Sequence, residues 1–158
     1  MQIAAQIIKQ IESRLFALNL TFTQKPILIG GKAMEFYGIR KAGADIDLIV
    51  CDADYQNLAK AHPENLRDIW GDLGVVVGEF EIWRSISFFD YDFFAKDAVC
   101  ASSILVVSLD KLLFTRALVL EGASGNWDVE KYRVDFEKLV HYYYENFRNK
   151  NFLKEHLT

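Results

Sequence analysis

The chain has 158 residues, of which 51% are hydrophobic and 25% charged, and its formal net charge is −4. This length and composition predict one globular domain over residues 1–158, with a hydrophobic core. The negative charge argues against an extensive nucleic-acid surface, and no apolar run approaches the roughly 20 residues of a membrane span. The N-terminal residues lack the pattern of a secretion signal, so we expect a cytoplasmic protein that does not enter a membrane.

The first part of the chain alternates between predicted helices and short strands. Apolar residues at helical spacing, from Ile3 to Leu15, indicate an amphipathic first helix. In chain order, the pattern predicts a helix over 2–18, a strand over 27–29, a short helix over 31–37, a strand over 45–51 and a helix over about 52–61. Gly38 is expected to end the short helix, and Asp52 or Asp54 to cap the last one.

The second part of the chain begins at Pro63, which is expected to open a short helix that continues to Trp70. After it, the pattern predicts strands over 74–78, 80–89 and 104–107, a helix over 108–120, a loop over 122–126 and a final helix over about 128–148. Residues 90–98 show no clear pattern. This order predicts an α+β fold: a small mixed sheet backed by helices over about 20–107, then a helical C-terminal portion over about 108–150.

Asp45 and Asp47 are the most informative residues of the chain. Side chains alternate across a strand, so these two carboxylates should share one face of a strand that is otherwise apolar. Two neighbouring carboxylates in apolar surroundings are costly to keep ionised without a cation, and Mg²⁺ prefers oxygen ligands. The pattern therefore favours metal binding over the alternative, in which both acids face solvent on an edge strand.

Gly30 and Gly31 form a second candidate feature, because they follow the first strand and precede a short helix. Bare backbone at such a junction suits a phosphate, although an ordinary helix-start turn would use the same residues. Lys32 is expected either to contact phosphate or to be solvated. Arg40 either holds a triphosphate through two parallel hydrogen bonds or forms a surface ion pair.

The spacing of these residues resembles the DNA polymerase β-type nucleotidyltransferase superfamily. The resemblance is to its small bacterial members, the antibiotic nucleotidyltransferases and the nucleotidyltransferase-like toxins of abortive-infection and toxin–antitoxin systems. Their pattern is Gly-Gly-x-Ala, then a Gly-x-x-Arg turn, then Asp-Ile-Asp-Leu. Here it is matched by residues 30–33, 38–41 and 45–48.

The resemblance implies a metal-dependent enzyme that transfers a nucleoside monophosphate from a nucleoside triphosphate (NTP) to an acceptor hydroxyl. It implies that Asp45 and Asp47 ligate Mg²⁺ or Mn²⁺ and that the segments containing Gly30, Gly31, Lys32 and Arg40 contact the NTP. Members also carry a third carboxylate on a later strand. We assign it to Glu81, because the residues that follow resemble the family segment after its third acid, and Asp90 and Asp92 are the alternatives.

The acceptor is not predicted, since members of this superfamily serve small molecules, RNA ends and protein hydroxyls. A second copy of the chain or a cognate antitoxin is a candidate partner. Gly43, Arg116 and Tyr132 depart from the family pattern. They favour the rival hypothesis, a catalytically degenerate module with a regulatory or interaction role, for example one half of a toxin–antitoxin pair.

Overall fold

The structure is a computed structural model that describes residues 2–122 and 129–149, with side chains as far as residue 146. The chain divides into two compact units, residues 1–108 and 109–158. The first unit contains α1 (Gln2–Ala17), β1 (Ile27–Ile29), α2 (Gly30–Phe36), β2 (Ile46–Ile49), α3 (Asp52–Ala61), a 3₁₀ turn (Pro63–Asn65), β3 (Leu66–Ile69), β4 (Asp72–Val77), β5 (Phe80–Trp83), α4 (Tyr91–Ala95), β6 (Val99–Ala101) and β7 (Ile104–Val106). The second unit contains α5 (Leu109–Gly122) and α6 (Val129–Asn149).

The strands form a seven-stranded sheet in the order β3-β4-β5-β2-β1-β7-β6. The pairs β2–β5 and β1–β7 are parallel, and the other neighbours are antiparallel. The prediction of an α+β fold with a mixed sheet is therefore confirmed. No helix in the described part of the chain has the length and apolar character needed to cross a membrane.

The core of the first unit is organised by the register of the central strands. One row of apolar residues crosses five strands, and each of its members is at most 1% exposed: Val106, Leu28, Leu48, Ile82 and Val75. The next row contains Ile29, Asp47, Glu81 and Val76. Because consecutive residues of a strand point to opposite faces, this second row presents two adjacent carboxylates on the face opposite the first row.

Several predicted elements differ from the structure. Residues 66–69 form strand β3 and not a helix, because they pair with β4 in a hairpin closed by Trp70 and Gly71. The predicted strand 80–89 ends at Trp83, and residues 90–98 contain helix α4. Cys51 is a buried free thiol, whereas Cys100 is exposed, because it lies on β6 at the edge of the sheet. The predicted loop at 122–126 and the start of the last helix fall largely outside the described residues.

Cys51 occupies the N-cap position of α3, so neither Asp52 nor Asp54 caps that helix as predicted. Asp54 lies in its first turn. Its carboxylate is 3% exposed and accepts hydrogen bonds from the backbone of Thr23 at 3.0 Å, the Thr23 hydroxyl at 2.9 Å and the backbone of Gln24 at 3.3 Å. Burial by itself raises the pKa of Asp54, but the hydrogen bonds from Thr23 and Gln24 outweigh it and lower the pKa below its ordinary value. Asp54 thus fastens the segment before β1 to α3.

Replacing Asp54 by Ala should destabilise the protein by about 2–4 kcal/mol, because buried donors of Thr23 and Gln24 lose a charged acceptor. Since the pKa of Asp54 is depressed in the folded state, its contribution is present above the unfolded-state pKa and is lost as pH falls through the folded-state value. The stabilities of wild type and Asp54→Asn in urea unfolding should therefore differ at pH 7 and differ less at a pH below 3.8, the ordinary pKa of the group. A constant difference at both pH values would contradict this role for the charge.

The second unit is held by an ion pair between its two helices. Arg116 on α5 is paired with Asp135 on α6 at 3.3 Å, and Asp135 is 2% exposed. The Arg116 guanidinium also lies 5.1 Å from the centre of the Tyr132 ring. Arg116 and Tyr132, two of the residues that depart from the family pattern, are therefore in contact and help to join α5 to α6.

Candidate functional site

The candidate site lies where β1 ends and where β2 and β5 begin. Gly30 and Gly31 follow β1 directly, and Ile29 of β1 is in register with Asp47 of β2. Because β1 and β2 are antiparallel, the end of one strand meets the start of the other. The two features that the sequence singled out, the glycine pair and the acid pair, are thus neighbours in the fold.

Gly30 is in close contact with Asp47. The backbone of Gly30 is left-handed, with φ +65°, and a Cβ at this position would lie 2.9 Å from Oδ2 of Asp47. Both the backbone conformation and the nearby carboxylate therefore require glycine here. Any larger residue would displace the Asp47 carboxylate.

Gly31 faces Arg40. A Cβ on Gly31 would lie 3.4 Å from both terminal nitrogens of the Arg40 guanidinium, and one of these nitrogens donates to the carbonyl oxygen of Lys41 at 2.9 Å. The glycine pair is therefore flanked by a carboxylate at Gly30 and a guanidinium at Gly31. Ile29, at the N-cap position of α2, has no side-chain acceptor for the backbone N–H groups of the first helical turn.

Lys32 has a local partner in the structure. Its ammonium group is ion-paired with Glu35 one turn further along α2, at 3.3 Å, and the Lys32 side chain is only 18% exposed. Glu35 also accepts the backbone N–H of Ala42 at 3.0 Å, which fixes the turn between α2 and β2. Lys32 is therefore held in a local ion pair, and its contact with phosphate stays a prediction.

Glu81 is in register with Asp47 on the neighbouring parallel strand. Registered residues of adjacent strands point to the same face, so the two carboxylates lie on one side of the sheet. Glu81 is paired with Arg67 of β3 at 3.3 Å, and its side chain is 26% exposed. The nearby Glu79 is engaged by Arg14, whose hydrogen bonds lower the pKa of Glu79.

Asp45 lies one residue before β2 and is exposed. It is close in sequence to Asp47 but is not part of the sheet ladder, because the strand begins at Ile46 and not at residue 45 as predicted. In the described residues, no three His, Cys, Asp or Glu side chains form a group that could hold a metal ion. The acids that share one face of the sheet are therefore Asp47 and Glu81, and Asp45 is close to them only in sequence.

Asp90 and Asp92, the alternatives to Glu81, lie at the other end of the sheet. Asp90 caps α4, where its carboxylate accepts the backbone N–H of Phe93 at 3.2 Å, and Asp92 is in the first turn of that helix. Asp90 and Asp92 line a groove, and the same groove is lined by Cys51 and Asp52, which follow the end of β2. They are therefore separated from Asp47, which lies near the start of β2.

Arg67 is the site residue that sequence reasoning missed. The prediction of a helix over residues 63–70 does not place Arg67 on the sheet or next to Glu81. A two-residue Trp-Gly connection between two strand-like runs, residues 66–69 and 72–77, is a hairpin signal that could have revealed it.

Comparisons with known proteins give little beyond this geometry. No protein-family model matches the sequence, and no curated protein matches it significantly. Among solved structures, the chain is similar to an antigenic nucleotidyltransferase-like protein from Paracoccidioides brasiliensis. The similarity covers 88% of this chain and 76% of the other, with 14% sequence identity and a TM-score of 0.45. At that identity and TM-score, the likeness does not by itself assign an activity to the chain.

Proposed function

We propose that the protein is a metal-dependent nucleotidyltransferase that transfers a nucleoside monophosphate from an NTP to an acceptor hydroxyl. The observation that carries the proposal is the convergence at the glycine pair: bare backbone lies between the Asp47 carboxylate and the Arg40 guanidinium. Phosphoryl-type transfer requires a carboxylate to bind a metal, exposed backbone to bind a phosphate, and a cation to neutralise the remaining phosphate charge.

The donor set fits Mg²⁺ or Mn²⁺. Mg²⁺ is usually held by one or two carboxylates together with waters and substrate phosphates, and does not need a complete protein cage. Asp45 and Asp47 supply such a pair, and Glu81 is in register with Asp47 as a third ligand. No three acids are grouped among the described side chains, so Glu81 would have to turn from Arg67 to complete this donor set.

When bound, the metal would supply charge neutralisation for the phosphates and activation of the acceptor hydroxyl. Asp45 and Asp47 would hold it, and the backbone at Gly30 and Gly31 would receive the phosphates. Arg40 orients a phosphate with parallel hydrogen bonds. The acceptor hydroxyl gives up its proton to Glu81 or to solvent water as its oxygen forms a bond to the α-phosphorus. The bond from that phosphorus to the bridging oxygen breaks, and pyrophosphate leaves with the electron pair.

Gly31→Val should weaken NTP binding by roughly tenfold or more while the protein remains folded. A branched side chain would crowd the Arg40 guanidinium, which is already 3.4 Å from the Cβ position, and would cover the backbone that we assign to phosphate. Calorimetric titration with a non-hydrolysable NTP and Mg²⁺ measures the change. Unchanged affinity in a folded Gly31→Val protein would return the glycine pair to a purely structural role.

A transfer assay tests the proposed activity itself. The protein is incubated with each α-labelled NTP, with Mg²⁺ or Mn²⁺, and with small-molecule, RNA and protein acceptors. Label should move to one acceptor class only when metal is present. Thermal unfolding gives a parallel readout that needs no acceptor, because ligand at a hundred times its Kd stabilises the native state by about 2.7 kcal/mol.

The rival function is a non-catalytic module on the same fold. The observation that favours it is the Arg67–Glu81 ion pair, which occupies the third carboxylate. The departures from the family pattern at Arg116 and Tyr132 favour the rival less, because these two residues are in contact and help to join α5 to α6. If neither thermal stability nor label transfer responds to any NTP with metal, the rival is the better description.

A further inference from the structure

Two exposed aromatic residues lie on neighbouring turns of the first unit. Trp70 is in the β3–β4 turn and Phe88 in the turn after β5, and they are 86% and 76% exposed. A Cβ on Gly71 would lie 3.0 Å from the Phe88 ring, and the Asp72 carboxylate accepts the backbone N–H groups of both Ser87 and Phe88. The two turns are therefore fastened together, and their aromatic side chains point into solvent from one region of the surface.

A groove of about 590 Å³ begins at these turns. Phe88 and Tyr91 form its aromatic walls. Its charged lining residues are Asp52, Arg84, Asp90 and Asp92. Cys51 and Asp52 follow the end of β2, and Arg84 follows the end of β5. Because β2 and β5 are parallel, the groove lies at the opposite end of the sheet from Asp47 and Glu81. It is a separate feature, and it does not rest on the proposed activity.

The groove carries excess negative charge. Three carboxylates line it against one guanidinium, and Arg84 is 3.6 Å from one of those carboxylates, Asp52. Burial raises the pKa of the Tyr91 phenol, and the nearby carboxylates of Asp54 and Asp92 raise it further. The charge pattern therefore suits an extended organic cation, and it disfavours phosphate-bearing ligands.

We propose that this groove and the adjoining Trp70 form a docking site for a basic segment of a partner protein. An Arg or Lys side chain of the partner lies against the rings of Phe88 and Tyr91 and is paired with Asp92. Cations are attracted to aromatic faces, and complementary charge steers association. Trp70 extends the apolar surface beyond the groove, so a ligand that filled the groove alone would leave Trp70 uncovered. A polypeptide with an apolar residue beside its basic one covers both.

Selection from a phage-displayed library of short random peptides tests the proposal on the full chain. We expect enriched peptides in which Arg or Lys is next to an apolar residue. Their affinity, measured by fluorescence anisotropy, should fall as salt is added, because screening weakens charge pairing. Trp70→Asn and Phe88→Asn should each weaken binding by roughly tenfold. Asn tolerates the left-handed backbone of both turns, with φ +57° and +65°, so these variants should fold normally.

Matched controls separate the site from general stickiness. Phe16→Asn removes an aromatic ring that is also 86% exposed but lies on α1, and it should leave peptide affinity unchanged. Asp92→Asn should weaken binding, whereas Asp97→Asn, an exposed acid outside the groove lining, should not. Any of three results would overturn the proposal. The wild-type protein shows no enrichment over the Trp70→Asn protein, acidic peptides are enriched, or the small cation spermine competes for the site as well as the peptides do.

Discussion

Asp47→Asn will abolish nucleotidyl transfer while the protein stays folded. Asp47 is in register with Glu81 on β5 and abuts Gly30, so it is the carboxylate around which the candidate site is built. Loss of a metal-ligating charge removes several kcal/mol of transition-state stabilisation, which corresponds to a loss of kcat on the order of a thousandfold or more. We expect the same outcome for Asp45→Asn. The rate of metal-dependent label transfer measures both effects.

The matched control for these variants is Asp97→Asn, which neutralises an exposed carboxylate that has no place in the candidate site. It should retain the wild-type rate. Circular dichroism and thermal unfolding show whether Asp45→Asn and Asp47→Asn are folded. Transfer at the wild-type rate by both variants would refute the assignment of the acid pair to the metal.

Gly30→Ala is expected to have the second largest effect, and the effect should be on both stability and transfer. An alanine there must adopt φ +65° and place its methyl group 2.9 Å from Oδ2 of Asp47. The left-handed backbone alone costs about 1–2 kcal/mol for a residue with a Cβ. The Asp47 carboxylate is the end of a side chain and can move aside at little cost in stability, but its displacement should lower transfer at least a hundredfold, or about 2.7 kcal/mol in the barrier.

Two other glycines separate these contributions. Gly38 also has a left-handed backbone, with φ +77°, but no atom lies within 4 Å of its Cβ position. Gly38→Ala should therefore show the backbone cost without loss of transfer. Gly43 has neither feature, and Gly43→Ala should be nearly neutral. If Gly38→Ala and Gly30→Ala lose transfer equally, the contact between Gly30 and Asp47 is not the reason.

The proposed site residues that the sequence names are local: Gly30, Gly31, Asp45 and Asp47 lie within one stretch of chain. The expectation that Asp45 and Asp47 share one face of a strand was wrong, because β2 begins at Ile46 and contains only Asp47. The assignment of Glu81 over Asp90 and Asp92 remains a prediction. The register of Glu81 with Asp47 supports it, and so does the place of the two alternatives at the far end of the sheet.

The parts that could not be predicted depend on contacts between residues distant in sequence. Arg67 meets Glu81 only because β3 folds back on β4, and the helical reading of residues 63–70 hid that hairpin. Asp54 has the sequence context of a helix cap, but its carboxylate is used by Thr23, a residue 31 positions earlier. In both cases, local propensity was a weaker guide than tertiary pairing.

The most direct test of the proposed function is a crystal structure with Mn²⁺ and a non-hydrolysable NTP, in which anomalous scattering locates the metal. We expect a metal peak bounded by Asp45 and Asp47, with phosphate density against the backbone of Gly30 and Gly31. Glu81 should be turned from Arg67 towards the metal. A metal bounded instead by Asp90 and Asp92, or a nucleotide bound away from the glycine pair, would contradict it.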